Sequence, residues 1–184
     1  MRVLIGCERS GVVRDAFIRA GHDAWSCDLE PTDAPGPHLR CDIFNALEPD
    51  RWELVILHPP CTHLAVCGNS TWAGSMEREQ AIVWTRSLFN AATNAAPRVA
   101  MENPVGVLSS QWRKPDQYIQ PWQYGHGETK KTGLWLHHLQ QLTPTDIVSG
   151  REQRVWKMSP SPDRSRLRGI TCQGIADAMA QQWG

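Results

Sequence analysis

One cysteine lies where a nucleophile would be held. Cys61 follows Pro59 and Pro60, directly after the apolar run 54–57. Two consecutive prolines permit neither a helix nor continued strand pairing, so the thiol is expected on a rigid turn at the end of a strand. A thiol in this position is available for nucleophilic attack, whereas a structural cysteine is a small hydrophobic residue packed inside an element. Both interpretations stay open on this motif alone.

A carboxyl group is predicted at a second strand end. Glu102 follows the strand-like segment 98–101 and precedes Asn103 and Pro104. A thiol paired with a carboxylic acid suits attack on a heteroaromatic ring, because the acid can hydrogen-bond to a ring nitrogen or protonate it. Protonation by Glu102 would require a raised pKa, for instance through burial. The alternative is that Glu102 belongs to a buried pair with no catalytic part.

The elements that position these residues alternate between strand and helix. Periodicity, glycines and prolines predict strands at 2–6, 24–27, 39–42, 54–57, 98–101 and 132–136, and helices at about 12–20, 76–95 and 174–183. Such alternation is typical of an α/β sandwich with a mainly parallel sheet, and the length of 184 residues fits a single domain, 1–184. Ligands of such sheets bind beyond the carboxyl ends of the strands, where both motifs fall.

Two further groups of residues at strand ends offer ligand contacts. The turn 6–11, with the sequence GCERSG, joins the first strand to the first helix, and its small residues let a ligand approach the backbone. It matches neither GxGxxG nor GxxxxGK[ST], which argues against NAD and ATP. Asp28 and Glu30 are positioned to hold ribose hydroxyls, and Asp42 is positioned to meet the edge of an adenine. An acidic residue at a strand end is also commonly only a helix or turn cap.

Composition narrows the class of protein. With 41% hydrophobic and 21% charged residues, the chain is expected to fold rather than to remain disordered. It has no apolar run of membrane-spanning length and no segment typical of a signal peptide, so we expect a soluble, cytoplasmic protein. In that compartment the six cysteines are expected to be free thiols. Their spacing with the histidines does not favour a zinc site, and no metal is expected.

A formal net charge of zero conceals an uneven distribution. Residues 1–60 carry 6 basic and 10 acidic side chains, and residues 113–184 carry 10 basic and 6 acidic ones. A polyanion would therefore meet the C-terminal third. Within it, residues 113–168 form a basic, loop-rich candidate substrate-binding segment. A solvated surface loop would have the same composition.

Four motifs, taken in order, resemble those of the cytosine-5 DNA methyltransferases. They are the cofactor loop Leu4–Phe17, the acidic motif Cys27-Asp28-Leu29-Glu30, the turn Pro59-Pro60-Cys61 and the motif Glu102-Asn103-Pro104. The whole chain also resembles small phage-encoded proteins usually described as DNA cytosine methyltransferases, which implies the host cytoplasm as its location. The resemblance implies a class I methyltransferase fold, a Rossmann-like sandwich with a late antiparallel strand.

The resemblance also implies a role for each motif. Cys61 would add to carbon-6 of a cytosine flipped out of DNA, Glu102 would contact ring N3 and the exocyclic amine, and Asn103 would support the loop. Carbon-5 would then take the methyl group. The cofactor, S-adenosyl-L-methionine, would be bound by Gly6, Cys7, Ser10, Gly11, Asp28, Glu30, Asp42 and Pro59. The substrate would be bound by Lys130, Lys131, Thr132, Arg164 and Arg166.

The chain departs from the family pattern in its second half. Lys130 and Thr132 stand where the family has two arginines, and an ammonium cannot reproduce the bidentate contacts of a guanidinium. Thr62 stands where the family prefers glutamine. Only 27 residues separate Leu136 from Arg164, too few for a separate target-recognition domain. Specificity is then relaxed, or a protein partner supplies it, or the substrate is smaller than duplex DNA.

Several tryptophans in this region have two possible uses. Aromatic rings can stack on nucleic acid bases, but they are more often core residues, and we expect at least two of these in the core. They are Trp112, Trp122, Trp135 and Trp156.

Three hypotheses about function remain open. The first is a cytosine-5 methyltransferase that acts on DNA. The second keeps this chemistry but takes a free cytidine nucleotide, which the zero net charge and the missing recognition domain favour. The third is a non-catalytic nucleic-acid-binding module on a degenerate methyltransferase scaffold, which Thr62 and Thr132 motivate.

Overall fold

Seven strands form one sheet in the computed structural model, which describes residues 1–184 except for the side chain of Trp156. The strands are β1 (Arg2–Gly6), β2 (Asp23–Asp28), β3 (His38–Arg40), β4 (Leu54–Leu57), β5 (Val99–Pro104), β6 (Gln117–Ile119) and β7 (Thr132–His137). They lie in the order β3-β2-β1-β4-β5-β7-β6. β7 is antiparallel to its neighbours β5 and β6, and the other neighbouring pairs are parallel. The predicted α/β architecture, mainly parallel with a late antiparallel strand, is confirmed and is compatible with a Rossmann-like fold.

Helices connect these strands and cover both faces of the sheet. The described residues form α1 (Val12–Arg19), α2 (Ile43–Ala46), α3 (Asn69–Trp72), α4 (Met76–Ala95), α5 (Leu108–Gln111), α6 (Arg154–Lys157), α7 (Arg164–Gly169) and α8 (Gln173–Trp183). Within the described part of the chain, none of them is long and apolar enough to cross a membrane.

The ends of α1 and α4 follow the predicted local chemistry. The chain leaves α1 at Gly21, whose φ of +88° is a left-handed conformation that glycine adopts without strain. The hydroxyl of Ser75 accepts the backbone N–H of Arg78 at 3.2 Å and caps α4. α4 ends at Ala95, two residues before Pro97.

The alternating side chains of the central strands enter two separate cores. In β1 and β4, successive residues point to opposite faces of the sheet, because the side-chain period of a strand is two. One core contains residues of β1, β4, α1 and α8, among them Val3, Ile5, Leu54, Ile56, Phe17 and Trp183. The other contains the alternate strand residues and α4, among them Leu4, Val55, Leu57, Ile82 and Leu88. β4 is buried on both faces and therefore supplies a rigid support for the turn that follows it.

The tryptophans divide between the core and the surface layer. Trp135 is buried, and Trp112 stacks on it with ring centroids 6.1 Å apart, so these two belong to the core as expected. Trp122 is half-buried beneath the guanidinium of Arg151, 3.8 Å from its ring. The side chain of Trp156 lies outside the described part of the structure.

Four segments described here differ from the sequence-based prediction. β5 continues to Pro104, because its last residues pair with β7, so Glu102 lies within the strand rather than after it. β6 was not predicted, because three residues at the sheet edge are too few to show a period of two. Residues 164–169, expected as loop, form α7, and the predicted loop 62–75 contains α3. In these short helices the surrounding tertiary structure outweighs weak local preference.

Candidate active site

One cavity of about 750 Å³ lies beyond the carboxyl ends of β2, β1, β4 and β5. β7 contributes from its start, because it is antiparallel and its first residue, Thr132, pairs with Pro104 at the end of β5. The volume falls in the range of pockets that bind cofactors and nucleotides. The topology therefore gathers five chain segments that are distant in sequence around one site.

Most of the predicted site residues line this cavity. The lining includes the catalytic candidates Cys61, Glu102 and Asn103, the cofactor candidates Cys7, Ser10, Asp28 and Pro59, and the substrate candidates Lys130, Lys131, Arg164 and Arg166. Five other candidates are not among the lining residues: Gly6, Gly11, Glu30, Asp42 and Thr132. The convergence of strand ends that the sequence predicts is therefore present, although several individual residues have other roles.

The turn between β1 and α1 is built around the buried carboxylate of Glu8. This carboxylate accepts the backbone N–H of Val13 at 2.7 Å, that of Arg14 at 3.3 Å and the hydroxyl of Ser10 at 3.2 Å. The two amides belong to the first turn of α1, where N–H groups have no partner within the helix. Glu8 thus occupies the position at which a ligand phosphate would bind a helix N-terminus.

The two glycines of this turn serve packing and backbone conformation. A Cβ atom at Gly6 would lie 2.5 Å from Cδ1 of Ile43 and 2.8 Å from a methyl group of Leu57. Gly11 has a φ of +77° and lies against the guanidinium of Arg14. Both are needed for the shape of the turn, rather than for a direct ligand contact.

The acidic residues predicted to bind cofactor are divided by the structure. Asp28 lines the cavity, and its Oδ1 accepts the backbone N–H of Glu30 at 3.0 Å. The side chain of Glu30 is exposed outside the cavity lining. Asp42 caps α2, since its Oδ1 accepts the backbone N–H of Phe44 at 2.9 Å. Of the three, Asp28 is the one that faces a ligand in the cavity.

The centre of the site holds a pair that the sequence did not reveal. His58, directly before the Pro59-Pro60-Cys61 turn, has its Nδ1 3.1 Å from Oε2 of Glu102. The two side chains are 8% and 10% exposed, so this contact is shielded from water. Glu102 therefore has a histidine partner in addition to the nearby thiol. The backbone N–H of His58 donates to the carbonyl of Gly6 at 2.9 Å and fixes the end of β4 against β1.

The protonation states of the central residues follow from burial and charge. Burial raises the pKa of Cys61, the negative charge of Glu102 raises it further, and Lys130 lowers it in part, so the resting group is a thiol. Burial also raises the pKa of Glu102, but the hydrogen bond from His58 and the charge of Lys130 outweigh it, and the net pKa is lowered. The raised pKa that protonation by Glu102 would require is therefore not found, because its buried partners favour the carboxylate.

Asn103 joins two strand ends. Its Nδ2 donates to the carbonyl of Pro59 at 2.9 Å, and its side chain is almost fully buried. Proline carbonyls at such a turn have no partner in a strand ladder, so this bond holds the Pro-Pro turn against β5. The role of Asn103 in loop support, which the motif resemblance implies, stays a prediction with which this contact is compatible.

The basic side of the cavity is formed by residues before β7 and by α7. Nζ of Lys130 donates to the carbonyl of Ile170 at 3.4 Å, and Nζ of Lys131 lies 4.4 Å from the ring centroid of Tyr118. On α7, Arg166 reaches across the cavity to Asp33 at 3.2 Å, and Arg164 donates to the carbonyl of Met158 at 2.8 Å. Arg168 also lines the cavity, with Nη2 3.5 Å from Sγ of Cys67. Thr132 is buried beneath this basic side of the cavity, where its hydroxyl donates to the carbonyl of Lys130 at 3.0 Å.

Charged residues of opposite sign thus line the two sides of the cavity. Carboxylates belong to the segments after β1 and β2, where Arg9 also lines the cavity and pairs with Asp33, and the other cationic groups belong to the segment before β7 and to α7. Cys61 and Glu102 lie between them, because β4 and β5 are central in the strand order. This arrangement suits two ligands, one with positive charge and hydroxyl groups and one with phosphate.

The cysteines and the histidines do not assemble into a metal centre among the described residues. All six cysteines are free thiols, and the Sγ atoms of Cys27 and Cys41 lie 3.8 Å apart. In the described part of the chain, no group of three or more histidine, cysteine, aspartate or glutamate residues is positioned to hold a metal ion. Burial raises the pKa of Cys7, which lies at the acidic side of the cavity, to about 12.

Sequence patterns alone did not identify the partners of the predicted residues. Glu8 lies inside the predicted cofactor turn, and a glutamate three to six residues before an apolar helix could have suggested a cap. The sequence gives no sign of the role of His58 beyond a disfavoured zinc site, since this role depends on a glutamate 44 residues away. Asp33 lies in a Pro- and Asp-rich segment whose pattern gives no sign of the contact with Arg166.

Comparison with protein-family models and with curated proteins finds no match for this chain. The resemblance described above therefore depends on its motifs.

Proposed function

We propose that this protein is an S-adenosyl-L-methionine-dependent methyltransferase that modifies carbon-5 of cytosine in DNA. The observation that carries the proposal is the presence of Cys61 and Glu102 in one cavity, between an acidic and a basic side. The sheet order, with a late antiparallel β7, is compatible with the class I methyltransferase fold that the motifs imply. The proposal thus rests on the residues that share the cavity and on the order of the strands.

The acidic side of the cavity fits the cofactor better than it fits a nucleoside phosphate. The first-turn amides of α1 already bind the carboxylate of Glu8, so no amide cradle remains there for a pyrophosphate. A carboxylate such as Asp28 favours a ligand with hydroxyl groups and positive charge. S-Adenosyl-L-methionine has both and supplies, when bound, an electrophilic methyl group. Cys7, Ser10, Asp28 and Pro59 are the lining residues that would hold it.

The resting protonation states support a direct addition of the thiol. Cys61 begins as a thiol and Glu102 as a carboxylate. As the sulfur bonds to carbon-6 of cytosine, the thiol proton passes to Glu102 and then to ring N3. The S–H bond breaks and the S–C6 and N3–H bonds form, while the C5=C6 and N3=C4 π bonds are replaced by one C4=C5 π bond. No outside acid is needed, and carbon-5 becomes nucleophilic. After methylation, carbon-5 loses its proton to water, the S–C6 bond breaks as the C5=C6 double bond is restored, and the departing sulfur takes the proton from N3 to become a thiol again.

The basic side would hold the phosphates that flank the target base. Lys130, Lys131, Arg164 and Arg168 line this side. A base within a duplex is out of reach of Cys61, so DNA would have to present an extruded or single-stranded cytosine, at a cost of a few kcal/mol in a duplex. The substrate roles expected of Lys130, Lys131, Arg164 and Arg166 remain proposals, as does the contribution of a protein partner to target choice.

One observation favours a second candidate function. α7 lines one side of the cavity and is joined to the opposite loop through Arg166 and Asp33. A cavity bridged by such a contact admits a small molecule more readily than a polymer, so methylation of a free cytidine nucleotide is the second candidate. Incubation with dCMP, dCTP, single-stranded DNA and duplex DNA, each read by mass spectrometry, separates the two candidates.

Transfer of a labelled methyl group tests the proposed chemistry. We expect tritium from the cofactor in DNA with the native protein and none with Cys61→Ala, whereas Cys67→Ala, which changes another thiol of the cavity lining, retains transfer. A substrate carrying 5-fluorocytosine should leave a covalent adduct on Cys61, because a fluorine at carbon-5 cannot leave as a proton does. Full transfer by Cys61→Ala would refute the thiol mechanism. Failure to bind the cofactor in calorimetry would favour the non-catalytic binding module.

A further inference from the structure

His58 joins the end of β4 to β5 through a shielded hydrogen bond. Nδ1 of its imidazole lies 3.1 Å from Oε2 of Glu102, and its side chain is 8% exposed. Nε2 is buried, and no atom of the described residues accepts from it or donates to it. A buried polar atom without a partner, such as Nε2, carries a free-energy penalty. The contact of Nδ1 with Glu102 holds the ring in place in spite of this penalty.

The charged and titratable groups around this pair come from every adjacent segment. Glu8, from the turn after β1, lies close enough for the charge of His58 to lower its pKa. Lys130 and the hydroxyl of Thr132, on the β7 side, lower the pKa of Glu102, and the Cys61 thiol lies on the β4 side. The charge of Glu102 also raises the pKa of Cys172, which lies directly before α8. Of these groups, His58 is the one that makes a hydrogen bond of defined geometry to Oε2 of Glu102.

We propose that His58 is a positioning residue for Glu102, holding one carboxylate oxygen and keeping the group ionised until substrate binds. The proposal rests on the proposed function, since it concerns the carboxylate that receives the thiol proton. With Oε2 held by the imidazole, Oε1 is the oxygen that meets ring N3. The ring therefore sets both the direction and the charge of the group that transfers the proton.

Two substitutions separate positioning from simple filling of space. In His58→Asn the amide N–H replaces the Nδ1–H donor, whereas His58→Leu fills a similar volume without any donor. We expect His58→Leu to lower kcat about 100-fold, because it removes the hydrogen bond to Glu102. The kcat of His58→Asn should stay within about tenfold of the native value, because this variant keeps the hydrogen bond. The cofactor Kd should not change in either variant, since His58 acts through Glu102.

The pH profile provides a readout that a purely structural role would not change. His58→Leu removes a partner that favours the carboxylate, so the pKa of Glu102 rises and the acid limb of kcat shifts to higher pH. In His58→Asn the neutral donor remains, and the acid limb should shift less. An unshifted acid limb in His58→Leu, with folding verified by near-ultraviolet circular dichroism, would overturn the proposal.

A titration without substrate distinguishes failure of this inference from failure of the proposed function. Carboxyl-¹³C glutamate labelling reports the ionisation of Glu102, with Glu102→Gln and Glu8→Gln assigning the two buried resonances. We expect the Glu102 resonance to titrate at higher pH in His58→Leu than in the native protein. If this shift occurs and no substrate is methylated, the function is wrong and the role of His58 stands. If the native protein methylates but the resonance does not move, the role of His58 is wrong.

Discussion

Glu8 shows how a single carboxylate can exclude one class of ligand and favour another. It lies in the turn after β1, where many α/β proteins bind phosphate, and it accepts two amides of α1 itself. The negative charge that stabilises the helix N-terminus is thus part of the protein. A cationic ligand can approach such a turn, whereas a phosphate would be repelled.

The protonation of Glu8 predicts a particular dependence of stability on pH. Burial raises its pKa, while His58, the amides of Val13 and Arg14 and the Ser10 hydroxyl lower it in part, and the net pKa lies above its ordinary value. The folded protein therefore binds this proton more tightly than the unfolded chain does. The stability that this proton contributes is fully present at pH values below the pKa of Glu8 in the unfolded chain. It is lost as the pH rises through the pKa of Glu8 in the folded protein.

Glu8→Gln removes this titration while it keeps an acceptor for the amide of Val13. We expect the free energy of unfolding of Glu8→Gln, relative to the native protein, to rise by on the order of 1 kcal/mol between pH 4.5 and pH 7.5. Urea denaturation at a series of pH values measures the difference. A constant difference across this range would contradict the assigned direction of the pKa shift.

Asn103 carries a second prediction at this scale. Asn103→Ala leaves the buried carbonyl of Pro59 without its donor, which should destabilise the protein by about 1–3 kcal/mol. The turn that holds Cys61 also loses its connection to β5, so kcat should fall about tenfold or more. Thermal denaturation and methyl transfer are the measurements. Asn90→Ala, at an exposed position of α4, is the matched control, and equal effects in both variants would contradict this role.

At the scale of elements, α4 stabilises the loop that begins at Cys61. Arg78, in the first turn of α4, is 5% exposed. Its Nε donates to the carbonyl of His63 at 2.7 Å and its Nη1 to Oδ1 of Asn69 at 2.8 Å. A buried guanidinium with two partners in the same loop limits the conformations that this loop can adopt. The position of the thiol thus depends on a residue 17 positions away in sequence.

Arg78→Ala is expected to release this loop. Loss of two hydrogen bonds to a buried charged group should lower the free energy of unfolding by about 3 kcal/mol. The Cys61 thiol should also react faster with iodoacetamide, because the loop that shields it opens more often. Peptide mass spectrometry of the alkylated protein measures the rate. Arg86→Ala, on the exposed face of the same helix, should change neither quantity, and equal alkylation rates in the two variants would refute the prediction.

The elements differ in how far they could be predicted from sequence. β1, β4, α1 and α4 carry strong local signals, namely continuous apolar runs, a capping serine and terminating glycine or proline, and their positions were predicted within one or two residues. β6 and α7 are short, and their formation depends on pairing with β7 and on contacts across the cavity. Such contacts leave no periodic pattern in the sequence.

The features of the candidate site also differ in how far they could be predicted from sequence. The proximity of Cys61 and Glu102 could be predicted, because the carboxyl ends of parallel neighbouring strands lie at the same edge of a sheet. The protonation of Glu102 could not be predicted, since it depends on His58 and Lys130, which only the folded chain brings close. Asp42 was expected near an adenine, but the helix that it caps was not predicted.

At the scale of the whole molecule, the basic C-terminal third is folded back over the acidic N-terminal third. Arg166 on α7 lies 3.2 Å from Asp33, which also accepts from Arg9 at 2.8 Å. The uneven charge distribution of the sequence thus becomes an attraction across the cavity. Salt weakens attractions between exposed charges, so the position of α7 should depend on ionic strength.

Arg166→Ala tests whether this ion pair holds α7 over the cavity. Since the pair is exposed, its loss should increase the opening equilibrium by at most roughly fivefold. Hydrogen exchange of residues 161–171 should then be faster by up to that factor at low salt and unchanged at about 1 M salt, where the Debye length is about 3 Å. Arg19→Ala removes the exposed α1–α8 pair with Asp177 and should leave this segment unaffected. Equal exchange in Arg166→Ala and the native protein at low salt would show that α7 is held by its other contacts instead.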